Sequence, residues 1–390
     1  MIPAREILAL RAEWSLRSDV IEKDWALGWV LAGIAAHPQL STWLFKGGTC
    51  LRKSYYETYR FSEDLDFTVL SGGPDDPEQV TAIFREVATW LADEAGLELL
   101  VDERSFVRRR NLRGRDTLLG RLAYRGPSNP PVLPKLKIDL TADELVVNRP
   151  VRRSILHPYS DAPRPSAAIA CYSIIDLLAE KLRALAQRCR PRDLYDVVFL
   201  FRHQDLLGRA AAVRAALEKK CQFVGIEPPT LASIHATPFR AEVESEWANM
   251  LDHQLPSLPG FDHFWATLEE LFAWLEGKVV LPSLPRAELG SLDTEWRAPS
   301  SMTSWRSGAP LELIRFAGAN RLRVQIDYRA EQGRQGPRMV EPYAFRRTRD
   351  GHMVLFFVND RGLLRSYRTD RIVGVAVTRQ PFRPRYMIEF

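Results

Sequence analysis

Between Pro282 and Pro310 the chain reads PSLPRAELGSLDTEWRAPSSMTSWRSGAP, a stretch of Pro, Ser, Gly and mixed charge without sustained hydrophobic period. It reads as an interdomain linker, and it constrains the fold more than any other feature because two different periodicities meet there. Upstream, apolar residues recur at helical spacing over Ser18 to Ala36, Pro77 to Ala95, Ser173 to Arg188, Arg192 to His203 and Phe261 to Leu275. Short strands are interspersed between Leu44 and Leu140. Downstream, Leu322, Val324, Ile326 and Tyr328 alternate with Arg321, Arg323, Gln325 and Asp327, and HMVLFFV (352 to 358) follows the turn pair Asp350-Gly351. The front part therefore reads as α/β (α+β), and the back part as a small strand-rich barrel or sheet. No internal repeat links them.

Composition narrows the function classes. At 46% hydrophobic and 26% charged residues, the 390-residue chain has the makeup of a soluble globular protein of two or three domains at about 150 residues each. That excludes intrinsic disorder and collagen-like repetition. No stretch approaches the roughly 18 apolar residues of a membrane span, and the first residues are broken by charges, so neither a span nor a secretory leader is expected. Cys50, Cys171, Cys189 and Cys221 form no CxxC pair, so neither a disulfide framework nor a structural zinc site is indicated, which suits a reducing cytoplasm. From Arg306 to Phe390 there are 17 Arg, no Lys and 8 Asp or Glu, a net +9 against +5 for the whole chain. An arginine excess confined to one domain suggests a nucleic acid or nucleotide partner there. A solvated, arginine-rich surface fits the same count.

The chemistry concentrates in FKGGTCLRKSYYETYRFSEDLDF, residues 45 to 67. With DLDFTV as a strand, a period of two puts Asp64 and Asp66 on one face and turns Leu65, Phe67 and Val69 to the core. Carboxylates so close repel, and a divalent cation between them favours their ionised forms, as in phosphoryl- and nucleotidyl-transfer sites. A turn with solvated acids is the plainer alternative. Gly47-Gly48-Thr49 lets the backbone approach a ligand, with N–H donors of a following helix facing phosphate. In PKLKIDLT (134 to 141), Leu136, Ile138 and Leu140 form the apolar face, so Asp139 stands as Asp64 and Asp66 do. Three carboxylates on adjacent strands would suit a two-metal site.

The helix from Ser173 opens with a Ser173-x-x-Asp176 capping-box variant and carries Ile174, Leu177, Leu178, Leu182 and Leu185 as its apolar stripe. Lys181 falls inside that stripe. An ammonium there snorkels out or meets an anion such as a triphosphate. Pro191 begins another helix, with Asp193 and Asp196 on one face at i, i+3. Arg108, Arg109, Arg110, Arg113 and Arg115 cluster ahead of the Asp139 strand, suited to an RNA backbone or to a solvated hairpin.

In order, IEKDW (21 to 25), FKGGTCLRKSYY (45 to 56), RFSEDLDF (60 to 67), LKIDLT (136 to 141) and LLAEKLRALAQRCRPRDLYDVVFL (177 to 200) resemble the AbiEii/AbiGii toxin family of nucleotidyltransferases. The resemblance covers about residues 12 to 280. It implies a polymerase-beta-like nucleotidyltransferase core over 1–205, a helical extension over 206–281, and a toxin of toxin–antitoxin or anti-phage abortive infection systems. Relatives of the MenT type add nucleotides to the 3′ end of tRNA. The resemblance implies that Gly47, Gly48 and Thr49, with Lys46 and Ser62 beside them, hold the NTP, that Asp64, Asp66 and Asp139 bind Mg²⁺ or Mn²⁺, that Lys181 matches the helical lysine motif, and that Asp193 or Asp196 is the last catalytic acid. The expected reaction is transfer of NMP from NTP to an RNA 3′ end; a protein hydroxyl as acceptor and a non-enzymatic nucleic-acid-binding regulator are the alternatives. Gly-Gly-Thr in place of Gly-Ser, and a longer gap to the acids, depart from the broader superfamily pattern.

After the 282–310 linker, RLRVQIDYRA (321 to 330), RMVEPYAF (338 to 345) and LLRSYRTDRIVGVAVTRQPFRP (363 to 384) resemble a WYL domain, a small Sm- or SH3-like β-barrel, over 311–390. Met353-Val354-Leu355 stands where the name-giving tripeptide is expected. Arg365, Arg368 and Arg371 match the family's basic positions, which implies nucleic acid or nucleotide binding. A cognate antitoxin protein is a further expected partner.

Overall fold

The computed structural model describes residues 1–390 apart from 112, 237–239, 297, 299–308 and 331–334. Its helices are α1 (Ala4–Trp14), α2 (Ser18–Ala36), α3 (Gly47–Cys50), α4 (Pro77–Ala95), α5 (Ile174–Arg188), α6 (Pro191–Phe201), α7 (Ala210–Val224), α8 (Leu231–His235), α9 (Arg240–Leu251), α10 (Phe261–Leu275) and α11 (Leu311–Ala319). The strands are β1 (Trp43–Lys46), β2 (Asp64–Val69), β3 (Glu98–Leu100), β4 (Phe106–Arg110), β5 (Asp116–Arg125), β6 (Lys135–Thr141), β7 (Val151–Ser154), β8 (Ala168–Cys171), β9 (Leu322–Arg329), β10 (Gln335–Arg347), β11 (Met353–Asn359), β12 (Leu364–Arg368) and β13 (Ile372–Pro381). The chain divides into two compact units. One comprises Met1–Leu8, Arg17–Arg188 and Ala211–Pro229; the other comprises Ala9–Leu16, Cys189–Ala210 and Thr230–Phe390. Among the described residues no helix is long and apolar enough to cross a membrane.

The first unit is built on a mixed sheet in the order β3-β5-β6-β2-β1-β8-β7, with β4 also pairing β5. The alternation read from the sequence is realised: Leu65 and Phe67 on β2 and Leu136, Ile138 and Leu140 on β6 are buried, while the acids between them are half-buried. Phe67 packs on Phe45 and Trp43 at ring separations of 5.2 and 5.3 Å. Helix α4 starts and stops where its sequence says. The Asp76 carboxylate accepts the N–H of Glu78 and of Gln79, Pro77 fills the first helical position, and Gly96 ends the helix at φ +65°. Its buried row of Val80, Ile83, Phe84, Val87 and Leu91 meets the sheet through Phe84, 4.8 Å from Phe106.

The second unit combines helices with a five-stranded antiparallel sheet in the order β12-β11-β10-β9-β13, the small β domain expected from the alternating pattern. Leu322, Val324 and Ile326 are buried on β9, and α11 packs on β9, β10 and β13. The Asp350-Gly351 turn closes the β10–β11 hairpin, with Gly351 at φ +83° donating its N–H to the Thr348 carbonyl. Strand β11 lies between β12 and β10 and is buried on both faces, one of them through a cluster of Ala287, Tyr343, Val354, Phe356, Val358 and Phe382. Ala287 belongs to the stretch read as a linker. Leu292 bridges to Thr348 and Asp293 pairs with Arg347, so this part of 282–310 is docked on the sheet, because its few apolar residues find a place in the β core. Residues 297 and 299–308 of the stretch lie outside the described residues.

Candidate active site

Strand β1 runs directly into Gly47 and Gly48. Gly47 has φ +79°, a conformation that L side chains rarely adopt, and a Cβ there would collide with the Asp66 carboxylate. A Cβ on Gly48 would stand 2.8 Å from Arg60 Nη2 and 3.1 Å from Ser62 Oγ. The loop therefore needs glycine at position 47, where the backbone is left-handed and backs onto a carboxylate, while position 48 lies against a guanidinium tip. Thr49 is fully buried and donates its hydroxyl to the Asp64 carbonyl at 2.5 Å, which ties the loop to the start of β2.

The parallel pairing of β2 with β6 sets Asp66 opposite Asp139 and Asp64 opposite Lys137. The Lys137 ammonium sits 2.5 Å from Asp139 Oδ2 and 3.7 Å from Asp64 Oδ2. Burial pushes the Asp66 carboxyl up to about 6; Lys46 opposes this and the charges of Asp139 and Asp64 add to it. Lys137 is held above its ordinary value, because the hydrogen bond to Asp139 and the charge of Asp64 outweigh its partial burial. Among the described residues no group of three or more His, Cys, Asp or Glu is arranged to hold a metal ion, and Lys137 lies between two of the three acids. The donor chemistry nevertheless fits a hard divalent cation: three carboxylates, one raised by burial and further by the charges of the other two, are what such a cation would relieve.

On α5 the stripe of Ile174, Leu177, Leu178, Leu182 and Leu185 is buried as expected, and Lys181 is half-buried beside it. Its charge reaches Asp66 and Glu180. Glu180 is the residue that sequence reading passed over. It lies between two buried lysines, 3.4 Å from Lys46 Nζ and 3.7 Å from Lys220 Nζ. Burial would raise its pKa, but Lys46, Lys220, Arg183 and Lys181 together bring it down to about 2. Lys46 also pairs with Glu144 at 3.3 Å, and Lys220 also meets Asp176 at 3.6 Å and the Leu145 carbonyl at 2.8 Å. Asp176 does more than cap α5: it accepts the N–H groups of Val147 and Asn148. The only local signal for Glu180 is its place beside Lys181, and Lys220, on α7, has none.

Residues 29–270 match the family model described as nucleotidyl transferase AbiEii toxin, type IV TA system. The chain belongs to this family. Residues 310–377 match the WYL domain model. Among solved structures, the chain is similar to MenT4, a nucleotidyltransferase toxin from Mycobacterium tuberculosis H37Rv, at 23% identity over 70% of this chain and 88% of that one, with a TM-score of 0.45. It is also similar to the proteasome accessory factor B/C of Arthrobacter aurescens, at 16% identity over 54% of this chain and 32% of that one, with a TM-score of 0.19. No curated protein matches.

Of the residues expected to act in this AbiEii toxin, the first unit brings together Gly47, Gly48, Ser62, Asp64, Asp66, Asp139 and Lys181. Lys46 is there too, but its ammonium is engaged by Glu144 and Glu180. Asp193 and Asp196 lie on α6 of the second unit and are fully buried. The arginine hairpin β4–β5 is exposed and partly neutralised: Arg108 pairs with Asp76 and Asp116, Arg110 with Asp116, and Arg109 is exposed. In the WYL domain Arg365 is exposed, Arg371 is half-buried, and Arg368 forks onto Asp370 at 3.1 and 2.6 Å.

Proposed function

We propose that this AbiEii toxin transfers NMP from an NTP to the 3′ end of an RNA, with tRNA as the acceptor. The observation that carries the reading is the register of β2 and β6, which sets Asp66 beside Asp139 and Asp64 on one sheet face, next to the Gly47-Gly48 loop and within reach of the Lys181 charge. In the transfer, the RNA 3′-hydroxyl gives its proton to a carboxylate of the site as its oxygen attacks the α-phosphate, the bond from the α-phosphorus to the bridging β-phosphate oxygen breaks, and pyrophosphate leaves with the pair of electrons. Asp64, Asp66 and Asp139 would hold Mg²⁺ or Mn²⁺, which when bound neutralises charge on the phosphates and on the attacking and leaving oxygens. The chain itself supplies position and charge: the glycine loop lets the phosphates approach the backbone, and Lys181 stabilises negative charge that builds up beside Asp66. Asp193 or Asp196 is proposed as the further acid. The core, extension and β-domain boundaries given above are proposed as functional divisions, with the WYL domain and the β4–β5 arginines gripping nucleic acid and a cognate antitoxin binding the toxin.

The test is incubation with each labelled NTP, Mg²⁺ and total bacterial RNA. Label is expected in RNA of tRNA size, removable by a 3′ exonuclease. Label only in protein would replace the RNA acceptor by a protein hydroxyl, and no label in any fraction with folded enzyme would overturn transfer.

A further inference from the structure

We propose that Arg202, Arg321 and Arg383 form an anion site within the second unit that takes a phosphate dianion, either free or as the terminal group of a small phosphate monoester. All three lie in that unit, and the site uses no residue of the transfer reaction.

Arg202 caps the C-terminus of α6, and its guanidinium is tied to neutral groups only. Nη2 donates to His263 Nε2 at 2.7 Å and to Thr267 Oγ1 at 2.9 Å, both on α10, and Nη1 donates to the Asn320 carbonyl at 3.4 Å. Its Nε is buried and meets no acceptor among the described residues. Arg321 follows Asn320 at the end of α11, at φ +56°, a left-handed conformation ordinarily filled by glycine or asparagine. Its N–H donates to the Gly318 carbonyl and its own carbonyl accepts the Phe382 N–H, both at 2.9 Å, which fixes where the side chain starts. That side chain is half-buried and, among the described residues, makes neither a hydrogen bond nor an ion pair.

The charges here do not cancel. Burial and the charge of Arg321 hold Arg202 well below the ordinary arginine value. Arg321 itself comes down to about 10, because burial and the charge of the exposed Arg383 outweigh the opposing charge of Glu270. Glu270, on α10, forms no ion pair with either arginine among the described residues. His263 adds no positive charge: burial, then Arg202 and Arg321, bring it to about 4, so at pH 7 it is neutral and accepts from Arg202. Guanidinium groups stay protonated in proteins, so three positive charges share one carboxylate. The imbalance is two charges, which a phosphate monoester supplies once its second proton is lost at about pH 6. A phosphodiester or a carboxylate supplies one. The uncommitted fork of Arg321 matches two phosphate oxygens at once.

The test uses the full-length protein and Arg321→Gln, which keeps the acids of the first unit, so binding is read as the difference between the two. In phosphate-free buffer the variant should melt at or above the wild-type temperature, because it removes a charge that repels Arg202 and breaks no bond. Millimolar inorganic phosphate should raise the melting temperature of wild type and not of the variant. Calorimetric titration should show phosphate affinity reduced about ten-fold in Arg321→Gln and less in Arg383→Gln. AMP separates the two sources: tighter binding than phosphate, lost in the same variant, makes this a nucleotide site, and equal binding leaves the phosphate group alone as the ligand. Cyclic AMP, a singly charged diester, bound as tightly as AMP overturns the dianion. A folded Arg321→Gln protein that is less stable without phosphate and still gains from it marks a structural arginine and overturns the site. Should that variant not fold, Arg383→Gln decides, since unchanged phosphate affinity there overturns it too. Wild type that binds a single-stranded oligonucleotide through these arginines but neither phosphate nor AMP replaces the small anion by nucleic acid.

Discussion

Glu180→Gln is the perturbation whose size the structure fixes best. The carboxylate is 16% exposed and lies between Lys46 and Lys220, both nearly fully buried. It ionises at about 2 instead of the ordinary 4.5. A difference of roughly 2.5 at 1.36 kcal/mol each makes the ionised form worth about 3 kcal/mol to the fold. Removing one member of a buried ion pair typically costs about 3–5 kcal/mol, because the partners keep their charge and lose its balance. The two routes agree, so the variant should be about 3 kcal/mol less stable at pH 7. The sign with pH follows from a lowered folded value: the contribution is complete above pH 4.5 and disappears as pH falls toward 2. Urea unfolding followed by tryptophan fluorescence should therefore show a constant gap between wild type and variant from pH 5 to 7.5, narrowing below pH 4.5. Adding Lys46→Met should give back part of the loss, since it removes one orphaned ammonium, and a double-mutant cycle should show coupling above about 1 kcal/mol. A Glu180→Gln protein within 0.5 kcal/mol of wild type at pH 7, on the order of measurement error, would refute the reasoning.

Other outcomes follow from the same site. Asp66→Ala should abolish transfer while the protein stays folded, since Leu65 and Phe67 keep the β2 core; near-wild-type transfer by the folded variant removes the acid trio from the mechanism. Lys181→Met should leave the α5 stripe packed and the melting temperature little changed while transfer collapses, and unfolding with unchanged NTP affinity in the folded fraction makes Lys181 structural. Replacing Arg365, Arg368 and Arg371 with Gln should flatten the salt dependence of nucleic-acid binding, which for single strands falls with a log–log slope of about −0.7 per phosphate neutralised. Because Arg368 already forks onto Asp370, Arg365 should carry the larger share of that slope, measured by single substitutions.

What was legible in the sequence is what depends on neighbours along the chain. The two-residue period of β2 and β6 announced the acid face and the buried face together, and the helical period over Pro77 to Ala95 placed α4. Charge balance is not local. Glu180 meets a lysine on β1 and another on α7, and no spacing rule connects such partners. Lys46 shows why this matters for function. On a strand buried on both faces, alternation cannot say where a side chain points, and a lysine before a glycine pair reads as a phosphate ligand. In the fold a buried ammonium must be balanced at once, and Glu144 and Glu180 do so before any ligand arrives. A cation beside a glycine loop can be assigned to a ligand only after its carboxylates are counted, and for Lys46 that count already includes Glu144 and Glu180.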